Sequence, residues 1–439
     1  KVTTFLTMLD LKGNSIGHKL INDIQKLVSS KNRKPPVAVT TLPPLSDGKT
    51  GTESEKSSKQ HRFIQFCQKV SQALTGRGRE STAKMTPTSQ LTATSNSSPI
   101  AAILSRMKMH MKRVNIQEEG LFQLENLAVN DENKKKIAEE KGIIIILMVM
   151  KENSTIAKVQ HYGCEALCNL AVDKNNKEKI AKEEGIAIIL SAMTNHSYDA
   201  TVQHYGCAAL GNLAVTKNNM ETIAKEGGIA RILSAMKMHS SNANVQHYGC
   251  TALWNLAVNI NNQETIAKEE GITTILSAMR THSSNADVQH YGCLALQNLA
   301  MIGNNQETIA VKGGIARILS AMKMHSSNAN VQHYGCAALC NLAVNDNNKV
   351  SIVAAGGITM ILSVMKIHSS NANVQEDGCA VLGNLAVNKN ITVTIAKRGG
   401  VATILSAMDQ HSYDAGVLEN GLKALWILFK NAYIMVANC

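Results

Sequence analysis

A period of 43 residues constrains this chain more than any other feature. The run Val331-Gln332-His333-Tyr334-Gly335-Cys336-Ala337-Ala338-Leu339-Cys340-Asn341-Leu342-Ala343-Val344 recurs at that interval without insertion, and its glycine falls at Gly120, Gly163, Gly206, Gly249, Gly292, Gly335, Gly378 and Gly421. Self-similarity at a fixed spacing of this size marks a solenoid, in which each unit buries its apolar face only against its neighbours.

The unit resolves into three predicted helices, visible between Asn218 and Val258. Asn218 with Glu221 three residues on reads as a capping-box-like start, and Ile223 and Ala224 give a short first helix its apolar side. Gly227-Gly228 breaks it. Ile229, Ile232, Leu233 and Met236 follow at helical spacing, and Ser240-Ser241-Asn242 closes that second helix with a polar turn. The repeated motif is the third helix. Three periods upstream of Ile229 lies Ile100, where Pro99 replaces the glycine and Ser98 is a candidate N-cap, so the array is expected to begin near residue 98 without a first helix. On the third helix Val202, Gly206, Ala209, Leu210 and Leu213 share a side and should face the core, while His204, Ala208 and Asn212 share another.

The formal charge of +12 suggests a nucleic-acid partner until it is divided along the chain. Residues 1–97 hold 15 Lys and Arg against 6 Asp and Glu, which leaves 30 against 27 for the rest, a net +3. A nucleic-acid binder would need a basic solenoid, and one so nearly balanced is not that, so no nucleic-acid partner is expected. Six of the ten cysteines, Cys164, Cys207, Cys250, Cys293, Cys336 and Cys379, follow the motif glycine directly. Packed helices stand about 8–10 Å apart, whereas a disulfide needs Cα atoms within about 7 Å. These thiols therefore read as small buried residues in a reducing compartment. No run is long and apolar enough to span a bilayer and no signal peptide is evident, so the expectation is a cytoplasmic or nuclear protein without a membrane partner.

The first 97 residues differ from the rest. Leu6, Leu9, Leu11, Asn14 and Ile16 fit L-x-x-L-x-L-x-x-N-x-I, a leucine-rich-repeat rung, and residues 1–30 read as its remnant, either the last rung of an array preceding Lys1 or an accidental match. Residues 31–97 read as a flexible basic linker: Lys31 to Lys34 is a basic cluster, two proline pairs break helix, and Ser46 to Gln60 is polar throughout. Phe63, Phe66, Val70 and Leu74 allow one short amphipathic helix within it.

Gln-x-x-Gly-x-x-Ala-Leu-x-Asn-Leu-Ala, as at Gln203 to Ala214, resembles the armadillo repeat, although that family usually has alanine where Gly206 stands. The resemblance covers residues 98–439 and implies an all-α, right-handed armadillo-type superhelical solenoid of eight 43-residue repeats. It also implies a protein–protein interaction scaffold, not an enzyme, that holds an extended peptide segment in its concave groove. The site residues it places there are Asn126, Asn169, Asn212, Asn255, Asn298, Asn341 and Asn384, whose amides can pair with a peptide backbone whatever its sequence. The other reading is that each asparagine only caps or braces the adjacent turn. A nuclear-import-type adaptor would carry tryptophan four residues before each asparagine; Phe122, Glu165, Ala208, Thr251, Leu294, Ala337 and Ala380 stand there instead. A structural array with no groove ligand is the remaining alternative.

His161, His204, His247, His290 and His333 form a second row beside the asparagines, bordered by Glu118 and Glu376. Ordinary imidazoles there would charge together in mild acid and favour an acidic ligand, unless duplication has simply copied an idle residue. His161, Cys164 and Cys168 occupy successive turns, as do His333, Cys336 and Cys340, but other units lack the second cysteine and the first points at the core, so no metal and no cofactor is expected. Nothing resembles a phosphate loop, a nucleophile elbow or a carboxylate pair.

Overall fold

The computed structural model describes residues 98–437, and every regular element among them is an α-helix. The leucine-rich-repeat-like segment, the basic cluster and the short linker helix lie outside the described residues. Three kinds of helix alternate: short ones such as Lys217–Lys225, middle ones such as Gly228–Met238, and long ones such as Ala243–Leu256. The first described element is a middle helix, Pro99–Met109, with the Ser98 hydroxyl accepting the Ala101 amide at 3.2 Å. The last is a long helix, Ala415–Ala437.

The short helix starts two residues earlier than its capping-box pattern implies. Thr216, not Asn218, is the N-cap, its hydroxyl accepting from the Asn219 amide at 3.4 Å. Asn130, Asp173, Asn259, Asn345 and Asn388 cap the equivalent helices through a side-chain oxygen. Each such oxygen satisfies amides that a helix start leaves without an internal acceptor.

Between short and middle helices the chain turns through one left-handed residue. Gly227, Gly313, Gly356 and Gly399 occupy it with φ between 76° and 82°, whereas Lys141, Glu184 and Glu270 hold φ of 60–64° at the same point. A side chain in that conformation costs about 1–2 kcal/mol, so three repeats carry a strain that four avoid.

The motif glycine is a matter of space. A Cβ built on Gly206 would lie 2.5 Å from Met193 Cγ and 2.7 Å from its Sδ, and the same clash with the middle-helix methionine recurs at Gly163, Gly249 and Gly335. The methionine fills the volume that a methyl on the glycine would need, so adding one would force the methionine to shift. Around this pair the core runs without a break from Ile100 to Leu428.

Successive long helices pack against each other far more extensively than successive middle helices do. Greater closeness on one side of a stack bends it toward that side, which puts the long helices on the inner face.

Candidate functional site

The asparagine row lies on the long helices, and the structure shows what its amides do. The C-terminal turn of each long helix tightens: the Val172 amide bonds the Asn169 carbonyl and the Ala171 amide the Leu167 carbonyl, which bypasses the carbonyl of Cys168. Asn212 Nδ2 of the next unit donates to that carbonyl at 3.0 Å. The same bond joins Asn169 to Glu125, Asn255 to Gly211, Asn298 to Trp254, Asn341 to Gln297 and Asn384 to Cys340, at 2.8–3.1 Å. Asn126, in the first long helix, turns instead to the Phe122 carbonyl in its own helix. The row is thus a ladder of helix-end caps donated across unit boundaries.

Burial divides it. Asn255 and Asn298 are 5% and 2% exposed, so the expectation that they offer an amide to a ligand is corrected: both are enclosed between units. Asn169, Asn212, Asn341 and Asn384 are half-buried and Asn126 is exposed. Trp254 is buried too, tilted against Tyr291 at 6.0 Å between ring centroids.

The histidine row is not a set of independent imidazoles. Each ring from His161 to His290 lies against its own neighbouring tyrosine and the tyrosine of the following unit, and His333 lies against Tyr334. His204 meets Tyr205 at 4.2 Å and Tyr248 at 4.6 Å, and His290 meets Tyr291 at 4.4 Å and Tyr334 at 4.9 Å. With His161, His247 and His333 the result is one column of alternating imidazole and phenol from Tyr162 to Tyr334. Offset ring pairs at these distances are attractive beyond their buried area. Carboxylates stand at its ends, Glu165 3.3 Å from His161 and Asp377 2.7 Å from His333.

This column corrects the expected titration. Burial pushes His204 down to about 4 and His290 down to about 3, and it lowers His247 as well. The middle of the row therefore stays neutral in mild acid, because a charged ring there would lose its hydration. At one end, burial raises Glu165, but hydrogen bonds from His161, Glu125 and Tyr205 outweigh it and hold the carboxyl below its usual range. The thiols next to the column are inert: burial pushes Cys207, Cys250 and Cys293 up to about 12.

A second histidine row escaped the sequence reading. His196, His239, His282, His325, His368 and His411 end the middle helices, and Nε2 of each donates to the carbonyl of Ser154, Ser197, Ser240, Ser283, Ser326 and Ser369 in the preceding turn, at 2.7–2.8 Å. Asn153 makes the equivalent bond to the Met111 carbonyl at 3.3 Å. The signal was available, since these histidines repeat with the same period as the motif.

Stacked three-helix units with ladders across every boundary define a helical-repeat solenoid. A family model described as the LRRK2 ARM repeat matches residues 261–437, and one described as the GAC ARM domain matches residues 97–288. The chain is an armadillo-repeat protein. Families of this kind are generally non-enzymatic scaffolds for protein interaction. Among solved structures, an engineered protein is similar over 56% of this chain and 97% of its own, at 22% identity and a TM-score of 0.51. A chain from a structure concerning a phosphorylation switch between cadherin and beta-catenin shares 14% identity over 75% of this chain and 72% of its own, with a TM-score of 0.43. No curated protein matches the sequence.

Proposed function

We propose that the array binds an extended protein segment along its inner face, and we assign it no catalytic step. The observation that carries this reading is the fixed amide orientation at Asn169, Asn212, Asn341 and Asn384. Only Nδ2 can donate to the carbonyl of the preceding unit, so each Oδ1 is the atom left to accept. A half-exposed acceptor held in place before binding loses little freedom when a peptide N–H reaches it. Recognition of main chain by such a row gives affinity with little demand on sequence.

The test is selection of peptides from a random library on the full chain, followed by Asn169→Ala with Asn212→Ala, and separately Asn341→Ala with Asn384→Ala. We expect each pair to weaken selected peptides about tenfold or more, the loss of one to two hydrogen bonds, while helicity at working temperature is retained. Selected peptides indifferent to both pairs would remove the inner face as the site.

A further inference from the structure

The edge where middle helices turn into long ones differs from the rest of the surface in two ways. It is rigid, because the second histidine row and Asn153 tie each turn to the one before. It also pairs cations with exposed apolar side chains. The first turn reads Arg106-Met107-Lys108-Met109-His110-Met111-Lys112-Arg113. Lys108, Lys112 and Arg113 are exposed and make no ion pair among the described residues; Arg106 alone pairs, with Glu119 at 3.1 Å. Met109 stands 70% exposed among them. Following turns add an exposed Lys151 next to an exposed Glu152, then Tyr198 at 86% exposure, then Lys237, which pairs with Glu270 at 3.1 Å, beside Met238 at 45%.

We propose that this edge docks on an anionic lipid bilayer, anchored by its first turn. Each lysine or arginine held at an anionic membrane surface strengthens attachment about fivefold. Charge alone gives weak attachment, and a second signal from buried apolar surface makes it stable. Met109 and Tyr198 supply that signal at the same edge, and tyrosine suits the headgroup level, where ring and hydroxyl meet different media. A nucleic acid or an acidic peptide would use the cations but has no use for methionine exposed between them. The opposite edge, where long helices turn into short ones, also exposes apolar side chains, at Val129, Met301 and Val344. Neighbouring turns stand about 10 Å apart, so the first four would touch several headgroups at once. The attachment is peripheral, since no single described helix is long and apolar enough to cross a membrane. The expectation of no membrane partner rested on the lack of a spanning segment, which does not bear on an edge of this kind.

The experiment is co-sedimentation of the full chain with phosphatidylcholine vesicles, with and without about one-third phosphatidylserine. We expect pelleting only with the anionic lipid, weakened by salt. Lys108→Glu with Lys112→Glu and Arg113→Glu should reduce it at least tenfold, and Met109→Ser with Tyr198→Ser several-fold, while Lys174→Glu with Lys217→Glu on the opposite edge changes nothing. All these side chains are exposed, so melting of every variant should match the parent. No pelleting at low salt would overturn the proposal. So would equal loss from the opposite-edge variant, or binding that ignores Met109→Ser with Tyr198→Ser and is fully competed by soluble RNA, which would mark a general polyanion patch.

Discussion

Four consecutive repeats carry two histidines each, and the two rows join the repeats by different physics. The inner row, on the long helices, works through ring faces: His204, His247 and His290 are each enclosed by two phenols, and their value to the stack depends on staying uncharged. The outer row, at the ends of the middle helices, works through one directed bond from Nε2 to a serine carbonyl at a half-exposed or exposed site. Water can replace most of the second interaction and none of the first. The same residue type is therefore a structural commitment on one face and a modest brace on the other.

Acid should separate the rows most. Unfolded histidine keeps its ordinary value of 6.5, whereas folded His204 sits at about 4 and His290 at about 3. Below the unfolded value the unfolded chain takes up protons that the column refuses. Stability is thus fully present above about pH 6.5 and is lost as pH falls from there toward the two lowered values, at about 1.4 kcal/mol per pH unit for each ring. Thermal melts followed by circular dichroism from neutral pH down to about pH 4.5 should show a steep fall. His204→Phe with His290→Phe keeps rings in the column and should flatten that slope. A slope unchanged by the pair would mean that the column does not govern acid stability.

The sequence revealed the period, the three-helix unit, the core face and the polar stripe, because each is a property of a single helix read along its own turns. What it concealed lies between helices. Asn298 looks like a ligand-facing amide until the next helix is placed, and only then does the Trp254 carbonyl appear as its acceptor. The glycine in place of the family's alanine was visible as a departure, but its cause, Met193 against Gly206, is a contact between two helices. His204 looked titratable for the same reason: its pKa is lowered by burial, to which Tyr248 of the following repeat contributes by lying against the ring.

A smaller effect comes from the asparagine ladder on the inner face. Asn298→Ala leaves the Trp254 carbonyl without its donor in a site that is 2% exposed, and a buried acceptor stripped of its partner costs about 1–3 kcal/mol. Asn126→Ala removes bonds made at an exposed position within its own helix, from Nδ2 to the Phe122 carbonyl and to Glu125 Oε1 at 3.2 Å, and should cost less than Asn298→Ala. Urea denaturation of the two variants compares them directly. Equal losses would show that the inter-unit bond has no special weight, and the inner face would then resemble the outer one.

The outer row gives the smallest change and the cleanest control. His239→Ala deletes one bond of 2.7 Å to the Ser197 carbonyl at a half-exposed position, where water can take the donor's place, so the expected loss is about 0.5–1.5 kcal/mol. The protein already contains a substitute: at the equivalent point Asn153 reaches the Met111 carbonyl through Nδ2. His239→Asn should therefore recover most of what His239→Ala loses, since an amide donor of shorter reach serves the same carbonyl. On the inner row no such exchange is available, because an asparagine in place of His247 would put a polar group between Tyr248 and Tyr291 where only a ring face fits. His247→Asn should then be the more damaging of the two asparagine variants in the same urea titration, and the reverse order would break the distinction between bonded and stacked histidines.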